Sequence, residues 1–205
     1  MIVVSIIGIL AAIAIPNFMK FQSRSKQSEA KANLKALFAA EKAFIQEKDR
    51  FSALVGEVGF SPERNNRYAY YLASDSALDD RSGTIASTAT TGNGISVDTF
   101  KYDSAETDPA TWPTGCNQTP AVVDTPTPSF IGGAAGDIDA DDTIDHWTIS
   151  DQSRTLTGTG ATGGHGHRGR GHGGGGGGGG DAIPCSADQN NPSGEPANDT
   201  NDVDL

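Results

Sequence analysis

No charged residue appears before Lys20, and no basic residue precedes the apolar run that opens the chain. A cleavable secretory signal needs a positive start and a small-x-small exit, and the "IPNF" that ends this run offers neither. Cysteine is scarce: Cys116 and Cys185 are the two in 205 residues. In a cytosolic chain they would stay free thiols and in an exported one they would pair, so the compartment decides. Aromatics make up 7% while Gly numbers 26, so a compact core is affordable over part of the length only. No nucleophile stands beside an evident base, and the long glycine run follows neither a strand nor a phosphate-binding fingerprint. His146 beside Trp147 is read as a strand residue. These absences exclude an enzyme built on a recognisable catalytic motif.

Charge is segregated. Residues 1–72 carry 10 Lys/Arg against 6 Asp/Glu, and residues 73–205 carry 5 against 20. The acidic distal part is unsuited to nucleic acid, and no nucleic-acid binding is expected.

Between Met1 and Ile15 only Ser5 and Gly8 are not apolar. Fifteen helical residues span roughly 22 Å, short of the roughly 30 Å bilayer core. A buried core helix and a membrane helix lacking its first few residues both fit that length. The continuation beyond Ile15 favours the second. Good helix formers extend to about Arg50, with Leu34, Leu37, Phe38, Phe44, Ile45 and Lys48 at three- and four-residue steps and Glu29, Lys31, Lys35 and Lys42 on the opposite face. The spacing predicts one helix of about 50 residues, roughly 75 Å long, apolar all round at first and amphipathic at its end. A globular core cannot bury such an object end to end. A membrane, and then a filament of its own copies, can.

The segment "MIVVSIIGILAAIAIPNFMKFQSRSKQSEAKANLKAL" resembles the N-terminal helix of type IV pilins, above all the long type IVa major pilins of twitching and social motility. The "IIGILAAIAIPNF" core carries the likeness most specifically, and it extends to about Arg67. In that family a basic leader and a Phe-Thr-Leu-Ile-Glu-Leu segment stand before the position of Met1. The prepilin peptidase cuts ahead of that Phe, which is then N-methylated. The resemblance implies that this chain starts inside the motif, and six more residues would lift the run to about 21, a full span. No residue here takes the part of the family's N-terminal Phe or of its assembly glutamate.

The resemblance further implies an α+β pilin fold, with a long N-terminal helix packed on a small antiparallel β-sheet head. Residues 1–50 would form the membrane and filament-core helix, 51–157 the head, 158–180 a Gly/His-rich flexible loop and 181–205 a C-terminal clasp with a disordered tail. The assembly residues it points to are Ile2, Val3, Val4, Ile6, Ile7, Gly8, Ile9, Leu10, Ile13, Ile15, Pro16 and Phe18. Gly8 and Pro16 both weaken a helix, and pilin helices loosen near this point within the filament, letting it extend. Cys116 and Cys185 would form the family's C-terminal clasp.

In the head, "RYAYYLA" (67–73), "SVDTFKYD" (96–103) and "DHWTISD" (145–151) are predicted strands, and Leu34, Leu37, Phe38 and Phe44 are predicted to pack against them. "GDIDADDTIDHW" places Asp137, Asp139, Asp141 and Asp145 so that a tight loop could aim carboxylates at Ca²⁺. It is not an EF-hand, because Asp142 and Thr148 stand where the turn glycine and the terminal glutamate belong. The plain alternative is an acidic hairpin turn. From Gly158 to Gly180, 15 of 23 residues are Gly, and His165, His167 and His172 lie in a tract better suited to a flexible loop than to a preorganised metal site. Asn117 and Asn198 begin glycosylation sequons.

The expected function is a structural pilus subunit, held in the inner membrane and then assembled as a helical homopolymer outside the cell for adhesion and twitching. Its expected partners are copies of itself, the prepilin peptidase and the pilus assembly platform. No cofactor is required, with Ca²⁺ the one candidate. The alternatives are a pseudopilin of a type II secretion system and a membrane-anchored metal-binding protein that does not polymerise.

Overall fold

The computed structural model describes residues 2–74, 77–83, 92–102, 112, 119–124, 126–138, 144–156 and 189–200. Helix α1 (Ile2–Lys48) runs unbroken for 47 residues, roughly 70 Å, and passes through Gly8 and Pro16 without interruption. It ends where Asp49 takes a positive φ of 56° and donates its amide to the Ile45 carbonyl at 2.9 Å. The short α2 (Val55–Val58) closes on Gly59, whose φ of 73° is the left-handed cap that a side chain would strain.

Beyond the helices the described strands are β1 (Ala69–Tyr71), β2 (Leu78–Asp79), β3 (Gly94–Ile95), β4 (Ala121–Val123), β5 (Ser129–Gly136), β6 (Asp145–Ser150), β7 (Arg154–Leu156), β8 (Gln189–Asn191) and β9 (Ala197–Thr200). Seven of them form a mixed sheet ordered β2-β3-β1-β5-β6-β9, with β4 pairing β5 alongside. β7 and β8 make a separate pair. The expected α+β fold is present, with one correction: β2 pairs β3 in parallel, so the sheet is not wholly antiparallel.

The predicted strands at 67–73 and 145–151 appear as β1 and β6. Of the predicted strand at 96–103, the described residues 96–102 form no strand, since β3 ends at Ile95. Asp98 is the reason. Its buried carboxylate accepts Arg64 at 2.7 and 2.8 Å and the Asn65 amide at 2.8 Å, while its carbonyl accepts the Lys101 and Tyr102 amides in a turn. Such local bonds compete with a ladder. The longest strand, β5, has no strand signal in its sequence, because "SFIGGAAG" lacks the run of β-branched and aromatic residues that marks strands. Those small residues are what its central place demands. A Cβ on Gly132 would come within 2.7 Å of Leu37 on α1, so glycine lets the helix lie close to the sheet. Within the stretch expected as a disordered tail, the described residues 189–200 supply β8 and β9. β9 is held because its backbone extends the ladder of β6.

The core lies between α1 and one sheet face, where Ala30, Leu34 and Leu37 meet Tyr70, Leu72, Phe130 and Ile149. Phe130 packs between Phe38 and Phe51, at ring-centroid distances of 5.9 and 4.9 Å. Phe38, expected in the core, is half-buried and packs against its edge, whereas Phe44, also expected there, is half-buried beneath the Arg50 guanidinium at 5.3 Å. A second cluster of Ala69, Tyr71, Val97, Trp112 and Ala135 covers the other face.

Glu41 is the anomaly. It is fully buried on α1, receives the Ser52 amide at 3.4 Å, and its Oε1 has no partner among the described residues. Loss of hydration pushes its pKa up from 4.5 to about 7, against weaker opposing effects of the Ser52 amide and the Arg50 charge. The folded state therefore holds more protons than the unfolded one between those values. Stability falls as pH rises from about 4.5 to about 7 and levels off above, by on the order of 3 kcal/mol. Glu41→Gln is expected to flatten this slope. Thermal melting of the detergent-solubilised chain across that range tests it, and a variant that keeps the native slope contradicts the assignment.

Candidate functional site

The lower part of α1 projects from the head as a bare stalk. From Ile2 to Gln22 nearly all described side chains are exposed, and Ser23 is the first to be buried. Twelve large apolar side chains face outward on every side: Ile2, Val3, Val4, Ile6, Ile7, Ile9, Leu10, Ile13, Ile15, Phe18, Met19 and Phe21. Ile2 is 78% exposed and Phe21 74%, so no flank of the stalk is covered by its own head. By length and composition the helix is long and apolar enough to cross a membrane. Nothing packs within 4 Å of where a Gly8 side chain would stand. Pro16 lies within α1, where its missing N–H removes one rung of the helical ladder. Leaving the twelve side chains in water forgoes on the order of 20 kcal/mol, more than a typical domain's whole stability. The stalk must be covered by lipid or by protein. Above it the outward face of α1 is small, with Ala32, Ala36, Ala39 and Ala43 all exposed.

The head holds the stalk through a buried polar node. Asp145, at the start of β6, has no exposed surface. Its Oδ1 accepts Gln27 Nε2 at 3.2 Å and Asn198 Nδ2 at 3.1 Å, and its Oδ2 accepts the Tyr68 hydroxyl at 2.6 Å and Trp147 Nε1 at 2.5 Å. Four donors thus bring α1, β6, β9 and the residue before β1 onto one carboxylate. Burial, followed by the Asp145 charge and hydrogen bond, pushes the Tyr68 pKa far up, so the phenol remains a donor. Two further ties fix the rotation of α1. Glu29 Oε1 accepts the Arg67 amide at 2.7 Å, and Asn33 Nδ2 donates to the Tyr70 hydroxyl at 2.7 Å. Burial raises the Glu29 pKa despite the Arg67 contacts.

The node changes the reading of the Asp-rich loop. Asp145 is turned into the core with both oxygens taken up by protein donors. Asp137 is half-buried at the end of β5, and Asp139 and Asp141 lie outside the described residues. Among the described residues no three His, Cys, Asp or Glu side chains gather as a metal cluster. Cys116, Cys185 and the His165, His167 and His172 tract also lie outside them. Of the two sequons, Asn117 lies outside, and the Asn198 amide is committed to Asp145. His146 is a buried strand residue, 5.0 Å from the Trp112 ring, whose pKa burial lowers to about 4.

Asp145→Ala leaves four donors without their acceptor and is expected to cost on the order of 3 to 5 kcal/mol. Thermal unfolding of the full chain in detergent measures this. A loss below about 1 kcal/mol would show the node to be dispensable.

An all-round apolar stalk continuous with a helix that packs across a small α+β head defines a helix-anchored protein of pilin-like architecture. Known proteins agree. The family model described as "Type IV pilin PilA" matches residues 21–145. The chain is 47% identical over 167 residues, 73% of its own length and 76% of the relative's, to the "Type IV major pilin protein PilA" of Myxococcus xanthus (strain DK1622). It is 35% identical over 98 residues, 45% of its length and 63% of the relative's, to a "Fimbrial protein" of Pseudomonas aeruginosa. The chain belongs to the type IV pilin family, and as such it is a structural subunit of a pilus.

Proposed function

We propose that this chain is the major subunit of a filament whose core is a bundle of its own stalks. In this reading the subunit waits in the inner membrane with the stalk in lipid. The assembly platform then moves it into a growing filament, where neighbouring stalks replace lipid on the same apolar surface. The acidic heads face water and set adhesion, and retraction of the filament supplies twitching motility. Energy comes from other proteins, so the chain acts without catalysing a reaction. The prepilin peptidase would prepare its N-terminus before assembly.

One observation carries the reading: twelve large apolar side chains exposed around a stalk roughly 30 Å long. A pseudopilin or a non-polymerising anchored protein would also own such a stalk, but the relative matched over three quarters of its length is named a major pilin. Ile9→Asp, which would place a charge mid-stalk, is expected to remove surface filaments. Shearing cells and blotting the released fraction for the full chain tests both points. A native chain that stays wholly with the cells refutes the filament reading, and normal filament yield from Ile9→Asp refutes the role of the stalk.

Pro16 is assigned the part of a programmed weak point, since α1 carries one hydrogen bond fewer there. Pro16→Ala filaments are expected to extend less under load in single-filament pulling. Equal extension curves for the two would remove this role.

A further inference from the structure

We propose that a basic ledge on α1, formed by Lys20, Arg24, Lys31 and Lys35, docks the acidic head of a second copy of this chain. The proposal rests on the filament reading and adds the surface that sets how heads meet.

At about 100° per residue these four cations fall within an arc of about 60°, and they run for roughly 22 Å along the helix. All four are exposed. No acidic residue of α1 shares that arc. Glu29 is turned to Arg67, Glu41 is buried, and Glu47 pairs with Lys48 at 2.8 Å. Of Arg24, Lys31 and Lys35, only Lys35 meets a carboxylate among the described residues, that of Glu195 at 3.2 Å with both side chains about half exposed. Lys31 instead lies 4.6 Å above the Trp147 ring. Beside the ledge, an open groove runs between α1 and the β9 edge, lined by Ser28, Lys31, Lys35, Trp147, Glu195 and Asn198. The chain thus presents a strip of positive charge with an adjoining slot, on a molecule that is otherwise strongly acidic.

Charge complementarity and position name the occupant. The chain carries a net charge of −11, and residues 73–205 hold 20 acidic residues against 5 basic ones. Bundling copies by their stalks brings these heads together, and like charge opposes that at close range. The ledge is the feature that converts the repulsion into attraction, because it puts four cations where an adjacent acidic head would come. It also continues upward from the stalk: Lys20 follows Met19 directly and Phe21 lies just beyond. Copies whose stalks pack side by side must therefore have neighbours beside the ledge. Lys31 and Lys35 stand roughly 16 and 22 Å above Lys20, beyond the reach of lipid charge at ordinary ionic strength, which disfavours a membrane as the main occupant.

The test uses the full chain expressed with its own assembly machinery. Arg24→Gln combined with Lys31→Gln is the first variant, and Lys35→Gln, a conservative change at an exposed position, is the second. The expected result is a roughly five- to tenfold loss of sheared filament from the first variant, with the membrane-held amount of full chain unchanged. Native filaments are expected to dissociate more readily as NaCl rises, and filaments of either variant to show less of that dependence. Native yield and native salt response in both variants would overturn the proposal. So would a fall in membrane-held chain that matches the loss of filament, since that reports folding or lipid anchoring. A native chain that forms no filament at all refutes the underlying filament reading instead.

Discussion

The Asp145 carboxylate is the constraint on which the rest of the molecule depends. A roughly 70 Å helix can be held by a small head only along its upper half, and the apolar contacts of Ala30, Leu34 and Leu37 are free to slide and rotate by small amounts. Directional bonds remove that freedom. Gln27 ties the helix to the same carboxylate that takes Tyr68, Trp147 and Asn198. With four donors its acceptor sites are filled, and a buried charge is tolerable only under that condition. Glu29 and Asn33, the latter about one turn further along, tie the helix to Arg67 and Tyr70 in the same manner. The head thereby sets which face of the helix looks outward, and so which surfaces a neighbouring copy meets.

The same division explains why the molecule is incomplete alone. The upper helix buries one face and the stalk buries none. A head with a compact core and a stalk with all its apolar surface in the open cannot both be at rest in water. Lipid or a covering of other protein satisfies the stalk, and assembly into a pilus polymer, which membership of the pilin family implies, offers such a covering. The charge pattern suits that arrangement: the basic residues are concentrated on the helix and the acidic ones beyond it, so that attraction between copies can be placed along one line.

Much of this was legible from residues alone, and for identifiable reasons. An unbroken apolar run needs no partner to be recognised, and the helical spacing of Leu34 and Leu37 predicted their burial. Aromatic and β-branched residues marked β1 and β6. Three things were not legible. β5 is rich in glycine and alanine because helix and side chains press on it from both faces, a demand that arises from packing and leaves no strand-like composition. The stretch at 96–103 has strand composition, yet Asp98 draws Arg64 and nearby amides into a turn. Asp145 sits in an acidic run whose spacing suggested a cation, whereas its donors come from positions as distant in sequence as Gln27 and Asn198.

Local sequence, by itself, determined the long helix, its apolar lower half, the segregation of charge and the membership of the family, because periodicity, hydropathy and motif are properties of neighbouring residues. Tertiary structure decided the rest: the mixed sheet order, the inward turn of Asp145, the neutralising burial of Glu41 and the cleft beside Trp147. Each of these depends on groups far apart in the chain meeting in a place with little water, where the balance between hydration and protein contacts is set by the whole fold rather than by any one segment.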